Sequence, residues 1–373
     1  MRHTGEVKRL VLLGPGHPHL LLLAHLARAR PSGVEVVLVS QGPAQLYSGM
    51  LSGCLAGMYP PAALQVDLPA LARAAGARLE QSGAQGLEAS ARRVRLGDGR
   101  VLDYDVASVD VGSAPAHDEV PGVHALAVPL KPLAGALTRL RRLSAGPLLV
   151  VGAGAAGVEL ALCLQARAQV PTALVERGPC ALPEQSARAQ RLAARVLARR
   201  GIAVHAGESV AALEPGEEGL QRARLGSGRT LPFATCVWAT GPRPHPLLAS
   251  CGAALDAQGY LAVHDTLEST SHPGLFAAGD CAGFVSGQHV PRAGVYAVRE
   301  APVLIHNVSA RLTGTEVLRR YRAQSGYLAL LNAGDGTALG AWRGWAAEGR
   351  VLLRLKDRID RRFMARFPRR SSD

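Results

Sequence analysis

Apolar residues run unbroken from Leu10 to Leu13, break at Gly14-Pro15-Gly16, and resume between Leu20 and Leu26. The pattern predicts a strand over 9–13, a tight turn, a helix to about Arg30, and a second strand in VEVVLVS that ends at Ser40. The same order returns in LLVVGAGAAGVEL at 148–160: an apolar, β-branched run, a glycine turn at Gly152 and Gly154, and an alanine-rich helical stretch. TALVE then predicts another strand, ending at Glu176.

Two further stretches repeat. RVRLGDGRVLDYD at 93–105 matches RARLGSGRTLPFA at 222–234, and VDVGSAP at 109–115 matches VWATGPRP at 237–244. The offset is 129 residues both from Gly97 to Gly226 and from Gly112 to Gly241. The chain therefore carries two copies of one unit: a glycine turn in a βαβ half, a hairpin, and a closing strand that ends in glycine.

Each residue type in the turn has a physical task. The first glycine permits the turn, the second lets backbone approach a pyrophosphate, and the third allows close helix–strand packing. The helix N-terminus adds partial positive charge. Copy two has all three, Gly152, Gly154 and Gly157, with Ala155 and Ala156 between them. Glu176 lies where an acid holds a ribose hydroxyl. Copy one has Gly14, Pro15, Gly16 and His17, but His19 replaces the third glycine. Either the helix packs more loosely there with the imidazole near the phosphates, or His19 is a packing residue.

Composition bounds the rest. The 373 residues suggest about two domains, and 48% hydrophobic residues suit a globular core. Net charge is +13, and all but three of the 42 cationic side chains are arginine; the lysines are Lys8, Lys131 and Lys356. Such charge suits an acidic partner or an arginine-rich solvated surface. The six cysteines form no CxxC or CxxxxC pair, which argues against a redox dithiol and a zinc site. No signal peptide is evident and the Leu20–Leu26 run is too short to span a bilayer, so the cytoplasm is the expected location.

Two nucleotide turns in one chain resemble the two-dinucleotide flavoproteins, the pyridine nucleotide-disulfide oxidoreductase family. HPGLFAAGDCAG at 272–283 resembles that family's second FAD segment, and ATGPRPHP at 239–246 its connection back to the FAD domain. GPGHPH, YSGMLSGCLAGMY, PRAGVYAVREAPVL, YLALLNAGDGTAL and LKDRIDRRFMARF also resemble the flavoproteins fused ahead of selenide, water dikinase, whose kinase has no counterpart in these residues. The broader group is similar to type II NADH dehydrogenases.

The resemblance implies an α/β fold of two Rossmann-like domains. The expected boundaries are 1–125 and 246–315 for a split FAD domain, 126–245 for the NAD(P)H domain, and 316–373 for a C-terminal segment. It implies hydride transfer from the nicotinamide to FAD, and electrons passed on to an acceptor, with quinone one candidate. A flavin reductase for a selenium or sulfur species is an alternative, as is a redox switch on membrane or nucleic acid, although no recognised nucleic-acid motif is present. Oligomeric state is left open.

Site roles follow by resemblance. Gly14 through His19 cradle the FAD pyrophosphate, Ser40 stands where the family places a ribose-binding Glu, and Tyr47, Ser48, Gly49 and Met50 form a loop against pyrophosphate and flavin. Gly112, Thr240 and Gly241 close the two units, and Gly279 and Asp280 reach the ribitol. Ala293 and Gly294 open a helix aimed at the flavin pyrimidine edge, where a positive helix end favours the anionic reduced flavin. Glu176 predicts NADH over NADPH, because a carboxylate repels a 2′-phosphate. Glu159 is either near the nicotinamide or an ordinary helix acid. Arg292 and Arg299 are acceptor-site candidates or plain surface arginines. Cys54 is a chemically active thiol or a small buried hydrophobe.

At the C-terminus Val351, Leu355, Ile359, Phe363 and Phe367 recur every four residues, opposite Arg354, Arg358, Arg361, Arg362 and Arg366. A basic amphipathic helix of this kind can lie on anionic lipid at the inner face of the cell membrane. Asp357 and Asp360 interrupt the charge and favour docking on the protein's own core, and Trp342 and Trp345 suit either arrangement.

Overall fold

The computed structural model describes residues 7–116, 120–217 and 219–368. Arg369 and Arg370, at the end of the basic tail, lie outside the described residues. Copy one opens with β1 (Lys8–Leu13), α1 (His17–Leu26) and β2 (Val34–Val39), followed by α2 (Leu51–Leu55), β3 (Ala77–Glu80) and β4 (Val106–Val109). Next come β5 (Ala127–Pro129) and α3 (Leu133–Arg141). Copy two is β6 (Leu148–Val151), α4 (Ala155–Ala168), β7 (Thr172–Glu176), α5 (Ala187–Arg199), β8 (Ile202–Ala206) and β9 (Thr235–Trp238). The chain then adds β10 (Leu275–Ala277), α6 (Gly294–Thr313), β11 (Ala329–Asn332), β12 (Ala338–Trp342), β13 (Trp345–Gly349) and α7 (Arg350–Met364). Helix α1 stops at Leu26, four residues short of the expected Arg30.

Both copies build a five-stranded parallel sheet with the same topology. The first runs β10-β4-β1-β2-β3 and the second β5-β9-β6-β7-β8. The pairing register also repeats: Leu10 faces Val106 in one sheet and Leu148 faces Thr235 in the other, the sequence offsets seen in the turns and tails. Each copy carries a three-stranded antiparallel sheet, 84–103 and 210–233, on one face. β10, far along the chain, supplies the first sheet's outer strand.

Buried on both faces, the strands sort their side chains with a period of two. Leu10 and Leu12 face a large core shared with the helices, while Val11 and Leu13 pack toward the 84–103 sheet. Leu148 and Val150 join that shared core, and Leu149 and Val151 pack toward the 210–233 sheet. The shared core continues through α6 into the C-terminal Phe363 and Phe367, so both copies and the C-terminal segment bury one continuous apolar mass.

The C-terminal helix departs from expectation. Phe363 and Phe367 are buried, but Val351, Leu355 and Ile359 are 73%, 37% and 47% exposed. A four-residue repeat drifts by about 40° per step around an α-helix, so a stripe that begins in solvent ends on the core. The covered side carries Lys356, Asp360, Phe363 and Met364. Asp357 and Asp360 turn inward to Tyr59 and Tyr47. The outer surface therefore keeps Arg350, Arg354, Arg358 and Arg362 around an apolar stripe, with Trp342 and Trp345 half exposed on the adjacent hairpin.

Gly334, in the loop between β11 and β12, presses this segment onto α4. Its φ is +76°, and a Cβ there would lie 2.8 Å from the Ala166 Cβ and 2.9 Å from the Cys163 Cα. Gly334→Ala should lower stability by about 1–3 kcal/mol through overpacking and left-handed strain, read as a reduced urea midpoint.

Candidate functional site

The two turns are built by close backbone approach. Gly14 has φ +87°, and a Cβ on it would meet the Asp110 carbonyl oxygen at 2.5 Å. Gly152 has φ +99°, and its Cβ would meet the Ala239 carbonyl oxygen at 2.6 Å. Gly16 and Gly154 cap α1 and α4 without a side chain, so each helix presents its positive end to the cleft. No atom lies within 4 Å of the position a Cβ would take at Gly154, Gly112 or Gly241. Such cradles, open and lined by backbone, fit the pyrophosphates of two dinucleotides. At Gly157 an added Cβ would strike the Gly152 carbonyl, which is the close packing its place in the motif demands.

His19 is fully buried and packs beneath the first turn. Its Nδ1 is 2.7 Å from the Gly14 carbonyl oxygen and its Nε2 is 2.7 Å from the Ser108 hydroxyl. Burial pulls its pKa to about 4, so the ring is neutral at pH 7. A carbonyl only accepts, so Nδ1–H donates to Gly14 and Nε2 accepts from Ser108. The imidazole thus bolts the turn to β4.

A second group forms at the 279–281 turn after β10. Gly279 has φ +68°, and its N–H donates to the Glu300 carboxylate at 2.6 Å. Asp280 Oδ2 accepts from Ser113 Oγ and Lys131 Nζ, both at 2.9 Å. Burial pushes this carboxyl up, but the Lys131 ammonium and Ser113 hydroxyl outweigh it and hold the pKa below the usual aspartate value. His17, at the start of α1, feels Asp280 and Lys131, and burial pulls its pKa to about 4. Its ring lies 3.5 Å from where a Cβ on Gly294 would sit, so it also abuts the start of α6. Arg292 stays with this group: Nε donates to the Asp280 carbonyl, and the guanidinium stacks on Tyr260 at 3.4 Å.

The third group comes from the C-terminal helix. Tyr47, Ser48, Gly49 and Met50 form a short turn ahead of α2. Lys356 Nζ donates to the Gly49 carbonyl at 2.9 Å and to Asp360 Oδ2 at 3.1 Å, and lies 3.7 Å from Glu159 Oε1. The Tyr47 hydroxyl donates to Asp360 Oδ1 at 3.0 Å, and the Asn332 N–H donates to Glu159 Oε1 at 2.8 Å. Burial pulls the Lys356 ammonium down, yet Glu159 and Asp360 outweigh it and its pKa stays above the ordinary lysine value. Burial pushes the Asp360 carboxyl up. The rings of His17, Tyr47 and Phe363 pack together at 4.7–5.6 Å and join this group to the second.

Other expected residues stand apart. The Glu176 carboxylate accepts from the Ala153 N–H at 2.6 Å and the Gly178 N–H at 2.7 Å, which fixes it beside the second turn. Ser40 turns its hydroxyl to the Gly42 carbonyl, and Thr240 donates to the Ala116 carbonyl. Arg299 is exposed farther along α6. Cys54 is buried on α2, which packs on α3 and α4, and burial raises its thiol pKa against the pull of Arg141 and Arg167. It is thus a poor nucleophile, away from His17 and Asp280.

Lys131, Lys356, Ser113 and Asp360 were not among the expected site residues. A signal for two of them was present: in a chain whose cations are almost all arginine, two of its three lysines sit here. A compact ammonium suits sites where a guanidinium fork does not fit.

The family model described as pyridine nucleotide-disulphide oxidoreductase matches residues 8–301. An NADH dehydrogenase-like protein of Mycobacterium tuberculosis (strain CDC 1551 / Oshkosh) is 29% identical over 305 residues, 74% of this chain and 72% of the relative. The fold is similar to the sulfide:quinone oxidoreductase of Aquifex aeolicus, with TM-score 0.78 and 17% identity over 96% of this chain and 91% of that one. It is similar also to NDH2 of Plasmodium falciparum in complex with NADH, with TM-score 0.77 and 14% identity over 96% and 97%.

Lys356 is 13% exposed and Asp360 5%, so removing the ammonium strands a buried carboxylate. Lys356→Met should cost about 3 kcal/mol of unfolding free energy, measured by urea denaturation at pH 7.

Proposed function

Because the chain belongs to the pyridine nucleotide-disulphide oxidoreductase family and is an NAD(P)H-dependent flavin oxidoreductase, we propose that it oxidises NADH in preference to NADPH and delivers the electrons to a quinone at an anionic lipid surface. Bound FAD supplies the two-electron chemistry. Gly14 through His17, Asp280, Lys131 and the start of α6 would hold it, and the turn at Gly152 with Glu176 would hold the nicotinamide dinucleotide.

The observation that carries the choice of acceptor is the chain Glu159–Lys356–Asp360–Tyr47. Reduction of a quinone to a quinol needs two protons with its two electrons. A carboxyl whose pKa is raised by burial holds a proton near neutrality more readily than a free one, and the tyrosine hydroxyl bonded to it offers a path into the aromatic cluster. The NADH dehydrogenase-like relative agrees with the donor.

Donor preference rests on Glu176. Its two backbone bonds keep the carboxylate in place, and a 2′-phosphate brought beside it is repelled. The lipid surface rests on Val351, Leu355 and Ile359, ringed by exposed arginines. Among the described residues no helix is long and apolar enough to cross a membrane, so the contact would be peripheral.

Glu176→Ser should reduce the ratio of kcat/KM for NADH over NADPH by at least about tenfold, equivalent to about 1.4 kcal/mol. The photoreduced protein should be reoxidised rapidly by a soluble quinone and slowly by polysulfide or selenite; the reverse order would reject the quinone reading. Vesicles with anionic lipid should sediment the protein in a salt-sensitive way, and the double variant V351E/I359E should stay in the supernatant.

A further inference from the structure

The two nucleotide turns differ at three positions that touch one another. Where copy two has Gly157, Val237 and Ala239, copy one has His19, Ser108 and Asp110, at the same sequence offsets as the flanking glycines. In copy two the juncture is apolar and tight: a Cβ on Gly157 would meet the Gly152 carbonyl and come within 3.5 Å of the Ala239 side chain. In copy one the same space holds an imidazole, a hydroxyl and a carboxylate, all buried.

Asp110 lies directly under the turn. Its Oδ2 accepts from the His19 N–H at 3.1 Å, its main-chain carbonyl accepts from the Gly16 N–H at 3.2 Å, and its carboxylate fills the place a side chain on Gly16 would take. Pro15 and Pro18 have no N–H, and the Gly14 N–H goes to the Val39 carbonyl. Of the turn's backbone donors from 14 to 19, only the His17 N–H has no acceptor within the protein. The first turn thus meets a pyrophosphate with a buried acid and few N–H groups, the reverse of what an anion site needs.

We infer that FAD binding to this protein is coupled to the uptake of one proton from solvent at Asp110, which becomes a neutral floor beneath the pyrophosphate. This rests on the reading that the first turn is the FAD cradle. The charged and titratable groups facing Asp110 point the same way. Glu300 from α6 and Asp280 from the 279–281 turn are both acidic and both disfavour a third negative charge. His19 from α1 is neutral, and Cys281, which faces the same site, has its thiol held protonated by burial. Lys131 and His17 lie on the far side of Asp280 and serve that carboxylate. Burial already places the Asp110 pKa well above the ordinary aspartate value, with the His19 N–H as the main opposing influence. The doubly charged pyrophosphate raises it further, so the cofactor binds best where the proton is present and loosens as pH rises.

The test titrates FAD into the full-length apoprotein from about pH 6 to about pH 9, following flavin fluorescence, with calorimetry in two buffers of different ionisation enthalpy to count protons. The Kd should rise above a midpoint by up to about tenfold per pH unit, with up to one proton taken up per FAD. Asp110→Asn should bind FAD with a flat pH profile and no uptake at that step. Should D110N fail to fold, the triple variant H19G/S108V/D110A, which rebuilds the juncture of copy two, should give the same flat profile. A wild-type Kd that does not vary with pH would overturn the inference while leaving the FAD reading intact. A slope that persists in D110N and disappears in Glu300→Gln would also overturn it, by moving the proton to Glu300. An apoprotein that takes up no FAD at any pH would defeat the FAD reading and this inference together.

Discussion

A backbone carbonyl pressed against a glycine sets the geometry of this molecule twice. The Asp110 carbonyl leaves no room for a Cβ at Gly14, and the Ala239 carbonyl leaves none at Gly152. Each contact forces the chain to reverse at the end of a central strand and start a helix facing the cleft. Everything that gives the sites their chemistry follows from that reversal: a helix end with unspent N–H groups, a closing strand beside it, and a carboxylate at the tip of the next strand. Two such reversals in one chain produce two facing nucleotide cradles joined by a shared apolar core.

The copies share topology and register but have diverged where they touch their ligands. Copy two keeps the small, apolar juncture that lets helix and strand pack closely. Copy one has filled it with His19, Ser108 and Asp110 and bonded the turn to its neighbouring strand through an imidazole. The C-terminal segment adds a further asymmetry. Lys356 bonds the loop at Gly49 and pairs with Asp360 and Glu159, so an element outside both copies ties the loop of one to the helix of the other. A buried ammonium between two carboxylates is weak evidence of stability gained, but it fixes one arrangement of three segments.

Most of the fold was legible because duplication repeats local signals: apolar runs, glycine spacing, hairpin tails at a constant offset. Those signals act within about thirty residues of one another, where strand and helix periodicity is decisive. The pairings that fill the site do not. Lys131 meets Asp280 across 149 positions, His19 meets Ser108 across 89, and Lys356 meets Gly49 across 307. No local pattern encodes such partners; only the scarcity of lysine hinted at two of them. The C-terminal helix was misjudged for a different reason. Its four-residue stripe looked continuous, but helical drift divides it between solvent and core, and its two aspartates bond inward instead of weakening the basic face.

The central claim is that the two cradles hold FAD and a nicotinamide dinucleotide close enough for electrons to pass between them. It is tested most directly by anaerobic titration of the purified, flavin-loaded protein with NADH, followed by visible absorbance. The account predicts a yellow protein whose flavin band bleaches with about one NADH per flavin. A colourless polypeptide that cannot take up FAD, or a bound flavin that neither NADH nor NADPH reduces, would contradict it.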